Sequence, residues 1–173
     1  GKDQLQHLEI TRDVAIKFNN QYGETLVVPE SSINEQTNYI IGTNGEKMSK
    51  SKNNIINIFL EEKLLKKQIM SIETDSKPLE SPKNPETCNV FKIYSLLASN
   101  EMIEDLRSKY KNGGFGYGHA KKELLDLILN KFSKPRDKYN YLMSNKNEID
   151  QILSEGSKKA YKTANQVMDR VRK

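Results

Sequence analysis

Lys47 and Lys50 flank Met48 and Ser49, and Ser51 follows, in the run Gly42-Thr43-Asn44-Gly45-Glu46-Lys47-Met48-Ser49-Lys50-Ser51-Lys52-Asn53-Asn54. Two ammonium groups and two hydroxyls so close together, directly after a glycine-bearing turn, suit a polyphosphate. Lysine brings a point charge and three donors to phosphate oxygens. Hydroxyls and loop N–H groups add hydrogen bonds. Taken alone, the same composition also describes a solvated Lys/Ser loop. Asp3 is a second candidate: it either caps a helix or meets a ligand. His7 and His119 are the only histidines. They stand far apart with no Cys at ligand spacing, so no metal site and no catalytic triad is expected. His7 reads as a structural hydrogen-bonding group beside Glu9.

The elements that must position the loop can be read from apolar spacing. Residues 3–22 carry Leu5, Leu8, Ala15, Phe18 and Tyr22 at helical intervals, with Asp3 at the start and Gly23 as the stop. Tyr39-Ile40-Ile41 reads as a short buried strand feeding the loop. From Gly42 to Asn54 the only large apolar residue is Met48, which predicts a mobile loop with little to anchor it. A helix is predicted over 60–71, with Leu64, Leu65, Ile69 and Met70 inward. Residues 76–85 hold three prolines in ten residues and form the clearest break. Asn84-Pro85 then reads as a helix start, and Val90, Phe91, Tyr94, Leu97 and Ala98 as its apolar face. A further helix runs from Asn100 to about Tyr110, and residues 112–116 form a loop. A long helix is predicted over 119–143, with Leu124, Leu127, Ile128, Phe132 and Leu142 inward and a kink at Pro135. Asn145 and Glu148 read as a capping box. It opens a last helix with one stripe of Ile149, Ile152, Leu153, Gly156, Ala160, Ala164, Val167 and Val171. No internal repeat is visible.

Composition sets mild bounds. The 173 residues allow one domain or two small ones. A hydrophobic share of 35% permits a modest core, and a net charge of +5 permits an anionic partner such as RNA or ATP. Cys88 is alone, which excludes an internal disulfide and fits a reducing compartment. No apolar run approaches the ~18 residues of a membrane span, and no signal peptide is visible. The cytoplasm is the expected location.

Lys47-Met48-Ser49-Lys50-Ser51 resembles the KMSKS signature of class I aminoacyl-tRNA synthetases. The opening residues, Gly1-Lys2-Asp3-Gln4-Leu5-Gln6-His7-Leu8-Glu9 with Thr11-Arg12-Asp13 and Phe18-Asn19, are similar to the GxDQxQHxE…TRDxAxxFN segment of bacterial tryptophanyl-tRNA synthetases. Thr74-Asp75-Ser76 resembles that family's Thr-Asp-Ser turn. Gly116-Tyr117-Gly118-His119-Ala120-Lys121 resembles its entry to a late helix. These matches span nearly the whole chain in the family's order.

The resemblance implies a fold that is mainly α. Residues 1–75 would be the C-terminal remnant of a class I Rossmann catalytic domain, and residues 76–173 an α-helical bundle of the tRNA anticodon-binding type. It implies that Lys47 and Lys50 are catalytic, holding the β and γ phosphates of ATP while the amino acid is adenylated. Gly1, Lys2, Asp3, Ile40, Met48, Ser49 and Ser51 would complete the ATP site, with Mg²⁺ accompanying the nucleotide and no metal held by protein ligands. Ile40 or Ile41 would pack on the adenine, or either is plain core. Gln4 would face the bound amino acid. The implied substrates are tryptophan, ATP and tRNA(Trp), handled by a homodimer. Lys121, Lys122, Arg136, Lys158, Lys159, Arg170 and Arg172 are candidate phosphate contacts, or a solvated face. Lys52-Asn53-Asn54 departs from the Tyr or Asp that often follows the family's loop, which leaves the loop's packing open. The chain opens inside a family motif without Met, so it is expected to be the C-terminal half of a longer enzyme and inactive alone, since the HIGH motif lies in the other half. The alternatives are a non-catalytic tRNA-binding module derived from a synthetase, or a synthetase of tyrosyl specificity.

Overall fold

The computed structural model describes residues 4–32 and 40–172. Among the described residues seven helices follow one another: α1 Leu5–Tyr22, α2 Glu62–Met70, α3 Asn89–Ser95, α4 Asn100–Asn112, α5 Tyr117–Lys131, α6 Ser133–Ser144 and α7 Lys146–Val171. The described residues hold no β-strand, and the fold is mainly α as expected. The strand predicted at 39–41 is reduced to one antiparallel bridge, Ile41 with Lys47. Tyr39 lies outside the described residues. A strand needs a neighbouring ladder, and here residues 40–41 find one only across their own loop.

The chain forms two compact units, one of Tyr39–Asn140 and one of Gly1–Asn38 with Tyr141–Lys173. The core of the first is built from Leu65, Ile69 and Ile72 with Val90, Phe91 and Tyr94 of α3, Leu106 and Tyr110 of α4, and Ala120, Leu124 and Ile128 of α5. α5 is the central element, packing against both α2 and α3. At nine residues, α2 is too short to persist alone. Leu65 and Ile69, one turn apart and both fully buried, each contribute ~1.5–3 kcal/mol by leaving water. Leu64 and Met70, also expected inward, stay on the open side at 48% and 36% exposure. The predicted face of α3 is buried as expected at Val90, Phe91 and Tyr94.

Three boundaries differ from expectation. Residues after Pro85 form a turn, with the Cys88 N–H on the Pro85 carbonyl, and α3 begins only at Asn89. The helix predicted over 119–143 is two helices that break at Phe132. Pro135 has no N–H to give the Lys131 carbonyl, so the ladder of α5 ends and α6 starts with Pro135 in its first turn, where no donor is needed. Asn145 does not form a capping box. Its Nδ2 turns back to the Tyr141 carbonyl at 2.7 Å, and Glu148 N–H meets the Asn145 backbone oxygen instead.

In the second unit, Gly23 ends α1 at φ +89°, and Asn19 fixes the returning chain. Its Nδ2 donates to Leu26 O at 2.7 Å, while its Oδ1 accepts the N–H groups of Thr25 and Leu26. Arg12 donates to the Pro29 carbonyl at 2.6 Å. α7 carries the predicted apolar stripe but buries none of its described residues. Ile152 and Leu153 remain 53% and 64% exposed.

Candidate functional site

The run from Gly42 to Asn54 is closed by polar contacts rather than by an apolar anchor. Gly42 N–H donates to Glu46 O at 2.7 Å, and Gly45, at φ +78°, turns the chain. A second turn runs from Lys50 to Asn53, whose φ of +50° is one that Asn tolerates. That turn delivers Asn54 to the centre of the loop, where it is only 2% exposed. Its Oδ1 accepts Ser49 N–H at 2.8 Å. Its Nδ2 donates to Asn44 Oδ1 at 2.7 Å and to the Lys47 carbonyl at 3.1 Å. Its own carbonyl accepts Thr43 N–H at 2.9 Å. A Cβ on Gly42 would stand 2.3 Å from that carbonyl oxygen, so only glycine permits the approach.

The expectation that this loop has little to anchor it is therefore corrected. The anchor is one buried amide, invisible to a reading that looks for large apolar side chains. On the outer side, Met48 N–H reaches Ile40 O at 2.8 Å. Ser49 Oγ and Ser51 Oγ lie 3.2 Å apart, and Ser49 Oγ accepts Lys52 N–H. Lys52 Nζ sits 2.9 Å from Glu46 Oε2. That contact, followed by the Asn44 side chain, holds the Glu46 carboxyl below its ordinary value. Lys47 and Lys50 are exposed.

The stem of the loop is tied to the segment that follows α2. Glu73 N–H donates to Thr43 O at 2.8 Å, and Asn89 Nδ2 donates to Glu73 O at 3.1 Å. Asn89 Oδ1 also lies where a Cβ on Gly45 would be, at 2.7 Å. Residues Glu73, Thr74, Asp75, Cys88, Asn89 and Tyr117 line a cavity of about 290 Å³. There, Tyr117 OH donates to Asp75 Oδ1 at 2.6 Å. The hydroxyl holds the Asp75 carboxyl below its usual range, while burial, and then Asp75 itself, push the Tyr117 phenol up. Lys83 is 3% exposed and donates to the carbonyls of Pro78, Leu79 and Ser81 at 3.0–3.2 Å. Its ammonium also lies 5.4 Å from the Tyr117 ring centroid. This lysine closes the proline-rich turn and needs no carboxylate.

The predicted site residues fall in three places. Ile40, Lys47, Met48, Ser49, Lys50 and Ser51 share the loop and its stem, with Ile40 at 41% exposure rather than in a core strand. Gln4 stands at the N-terminal end of α1 in the other unit. It lines a cavity of about 340 Å³ with Leu5, His7, Leu8, Ser31 and Ser32. Gly1, Lys2 and Asp3 lie outside the described residues. Sequence reasoning missed Gly42, Asn44 and Asn54; the only signal was a glycine and two asparagines bounding a polar run. Two of the candidate phosphate-binding side chains are already engaged. Lys121 donates to the Met70 carbonyl at 2.9 Å, capping α2, and Arg136 donates to the Ile58 carbonyl. Lys122, Lys158, Lys159, Arg170 and Arg172 are exposed. Among the described residues, no three His, Cys, Asp or Glu side chains converge to hold a metal. No described helix is long and apolar enough to cross a membrane.

Residues 1–134 match the model of the family described as tRNA synthetases class I (W and Y). The chain is 47% identical over 171 residues to the tryptophan–tRNA ligase of Campylobacter jejuni, covering 99% of this chain and 54% of that protein. It is 52% identical over 161 residues to that of Fusobacterium nucleatum, covering 92% and 49%. It therefore spans about half the length of the curated relatives it matches. The crystal structure of Campylobacter jejuni tryptophanyl-tRNA synthetase complexed with ADP and tryptophan superposes with a TM-score of 0.87 at 47% identity, covering 99% of this chain and 54% of that one. The Mycoplasma pneumoniae tryptophanyl-tRNA synthetase shares the fold, at a TM-score of 0.60 and 23% identity over 98% of this chain. The chain belongs to the class I tRNA synthetases of the W and Y family.

Proposed function

We propose that this chain supplies the phosphate-closing loop and the helical, tRNA-facing part of a tryptophan–tRNA ligase. In that reaction the tryptophan carboxylate attacks the α phosphate of ATP, pyrophosphate leaves, and the activated amino acid passes to tRNA(Trp). Negative charge grows on the leaving group. Ammonium groups that tighten on it in the transition state raise turnover, whereas equally tight binding of ATP beforehand would not. Lys47 and Lys50 are the groups assigned to that task. Ser49, Ser51 and the loop N–H groups hold the remaining phosphate oxygens. Mg²⁺, when bound with the nucleotide, would supply further charge neutralisation on the phosphates beside Lys47 and Lys50.

The observation that carries the reading is the loop itself. Lys47, Ser49, Lys50 and Ser51 are presented on a hydrogen-bonded frame, in a chain that aligns along nearly its whole length with tryptophan–tRNA ligases. Gly1, Lys2, Asp3 and Ile40 would complete the nucleotide site, and Gln4 would face tryptophan. Residues 1–75 serve the nucleotide on this reading, and residues 76–173 serve the tRNA. The working enzyme on this reading is a cytoplasmic homodimer.

The test joins this chain to the N-terminal half of the Campylobacter jejuni relative and measures ATP–pyrophosphate exchange with each standard amino acid. Exchange with tryptophan alone, lost in Lys47→Ala/Lys50→Ala, is the expected result. Exchange with tyrosine would overturn the specificity, and exchange untouched by the double substitution would overturn the role of the loop.

A further inference from the structure

The bonds around Met48 have a pattern that assigns a task to a residue outside the lysine–serine run. In an extended segment, the carbonyl before a residue and the N–H after it point to one edge, and that residue's own N–H points to the other. Met48 is bonded in that way on both edges. Its N–H meets Ile40 O at 2.8 Å. Lys47 O and Ser49 N–H both meet the side chain of Asn54, at 3.1 and 2.8 Å. The Asn54 amide thus takes the place of a neighbouring strand's peptide group. It offers a donor to one flanking peptide and an acceptor to the other. Asn44 Oδ1 accepts from the amide, Thr43 N–H holds the main-chain carbonyl of Asn54, and Gly42 leaves the space for both. Side chains alternate along an extended segment, which sets Lys47 and Ser49 on a common side. The turn that begins at Lys50 then follows directly.

We propose that Asn54 is the positioning residue of the phosphate loop: its buried side-chain amide sets the backbone register from which Lys47 and Lys50 reach the leaving pyrophosphate. The inference rests on the phosphate-loop reading and adds a residue that touches no substrate. Asp at this position would keep an acceptor for Ser49 N–H. It would lose the donor and set a carboxylate against Lys47 O and Asn44 Oδ1. Ala would remove both hydrogen bonds.

The experiment is a double-mutant cycle in the joined, full-length enzyme, crossing Asn54→Ala with Lys47→Ala and reading pyrophosphate exchange. Misplacing a group by about 1 Å costs ~100-fold in rate, so Asn54→Ala is expected to lower kcat by roughly that factor with KM for tryptophan unchanged. With Lys47 already removed, the same substitution should cost under ~10-fold, because groups acting through one another are not additive. Equal losses in both backgrounds would make Asn54 merely structural and overturn the proposal. Full activity in Asn54→Ala would overturn it as well. Where the Ala variant does not fold, Asn54→Asp, similar in volume, carries the same cycle. No loss in Lys47→Ala alone would instead break the phosphate-loop reading. Amide hydrogen exchange at Ser49 in the 173-residue chain gives a readout free of activity. It should quicken in Asn54→Ala, and unchanged protection there would overturn the bonded frame.

Discussion

Replacing Gly42 by Ala strikes the loop at its tightest point. The new Cβ would lie 2.3 Å from the Asn54 carbonyl oxygen, 2.5 Å from Cγ and 2.6 Å from Nδ2. Ordinary contact begins near ~3.5 Å, so Asn54 must withdraw by roughly 1 Å. Its hydrogen bonds to Thr43, Ser49 and Asn44 stand at 2.9, 2.8 and 2.7 Å. A withdrawal of that size carries them beyond hydrogen-bonding reach. Each broken bond removes ~0.5–1.5 kcal/mol, and forcing an extra carbon into a packed site costs ~1–3 kcal/mol. The expected penalty is at least ~3 kcal/mol on the closed loop, or ~100-fold or more in its opening equilibrium. Amide exchange at Ser49 and Thr43 measures that equilibrium directly. Gly156→Ala is the control. A Cβ at Gly156, within α7, meets nothing, and should stabilise that helix by ~0.5–1 kcal/mol. Exchange at Ser49 within ~3-fold of native in Gly42→Ala would refute the reasoning, because the loop would then tolerate a displaced Asn54.

Lys83→Met keeps an unbranched side chain one atom shorter and takes the ammonium from three carbonyls, of which Pro78 O retains Ser81 N–H and Leu79 O retains Gly114 N–H. Urea unfolding should show a loss of ~3 kcal/mol, given ~1.5–3 kcal/mol for a hydrogen bond to a charged group, and a loss under ~1 kcal/mol would show the turn closed by other means. Tyr117→Phe removes the hydroxyl that lowers the Asp75 carboxyl. A depressed carboxylate contributes stability that is present above its unfolded value and lost as pH falls through its folded one. The variant should therefore lose stability at neutral pH and show a flatter acid limb below about pH 4. Its Asp75 titration, followed by NMR, should move upward, and an unmoved midpoint would contradict the assignment. Reversing the charges of Lys158, Lys159, Arg170 and Arg172 should weaken tRNA binding by the joined enzyme and flatten its salt dependence. Every phosphate that is no longer neutralised takes roughly 0.7–0.9 off the log–log slope, and an unchanged slope would place the tRNA elsewhere.

The parts legible in the sequence were those governed by local period and punctuation. α1 and α4 follow their predicted courses because apolar spacing, Gly23 and the Ser99 hydroxyl, which accepts Met102 N–H, act within one or two turns of chain. Pro135 was recognised as a disturbance. Whether a proline kinks one helix or separates two depends on where the next hydrogen-bond ladder begins, and the break at Phe132 decided it. α7 carries its predicted stripe, yet a stripe states only that one face is apolar. Burial needs a partner surface, and none of its described residues is buried.

The loop was harder still. The ammonium and hydroxyl groups of the proposed phosphate site were legible in the sequence whatever the frame. Its frame was not, because the apolar pattern that marks ordinary cores is missing. An asparagine replaces it, and its amide can copy a peptide group only when the chain returns it beside one. Gly42, by lacking a side chain, and Asn53, by accepting a positive φ, make that return possible. Neither residue carries chemistry of its own. On the proposed reading, a lysine aimed at a transition state must be held by groups already paired before the charge appears, or their reorganisation adds to the barrier. In this loop the paired groups are the peptides on either side of Met48, and the register of Lys47 is set by an amide seven residues further along the chain.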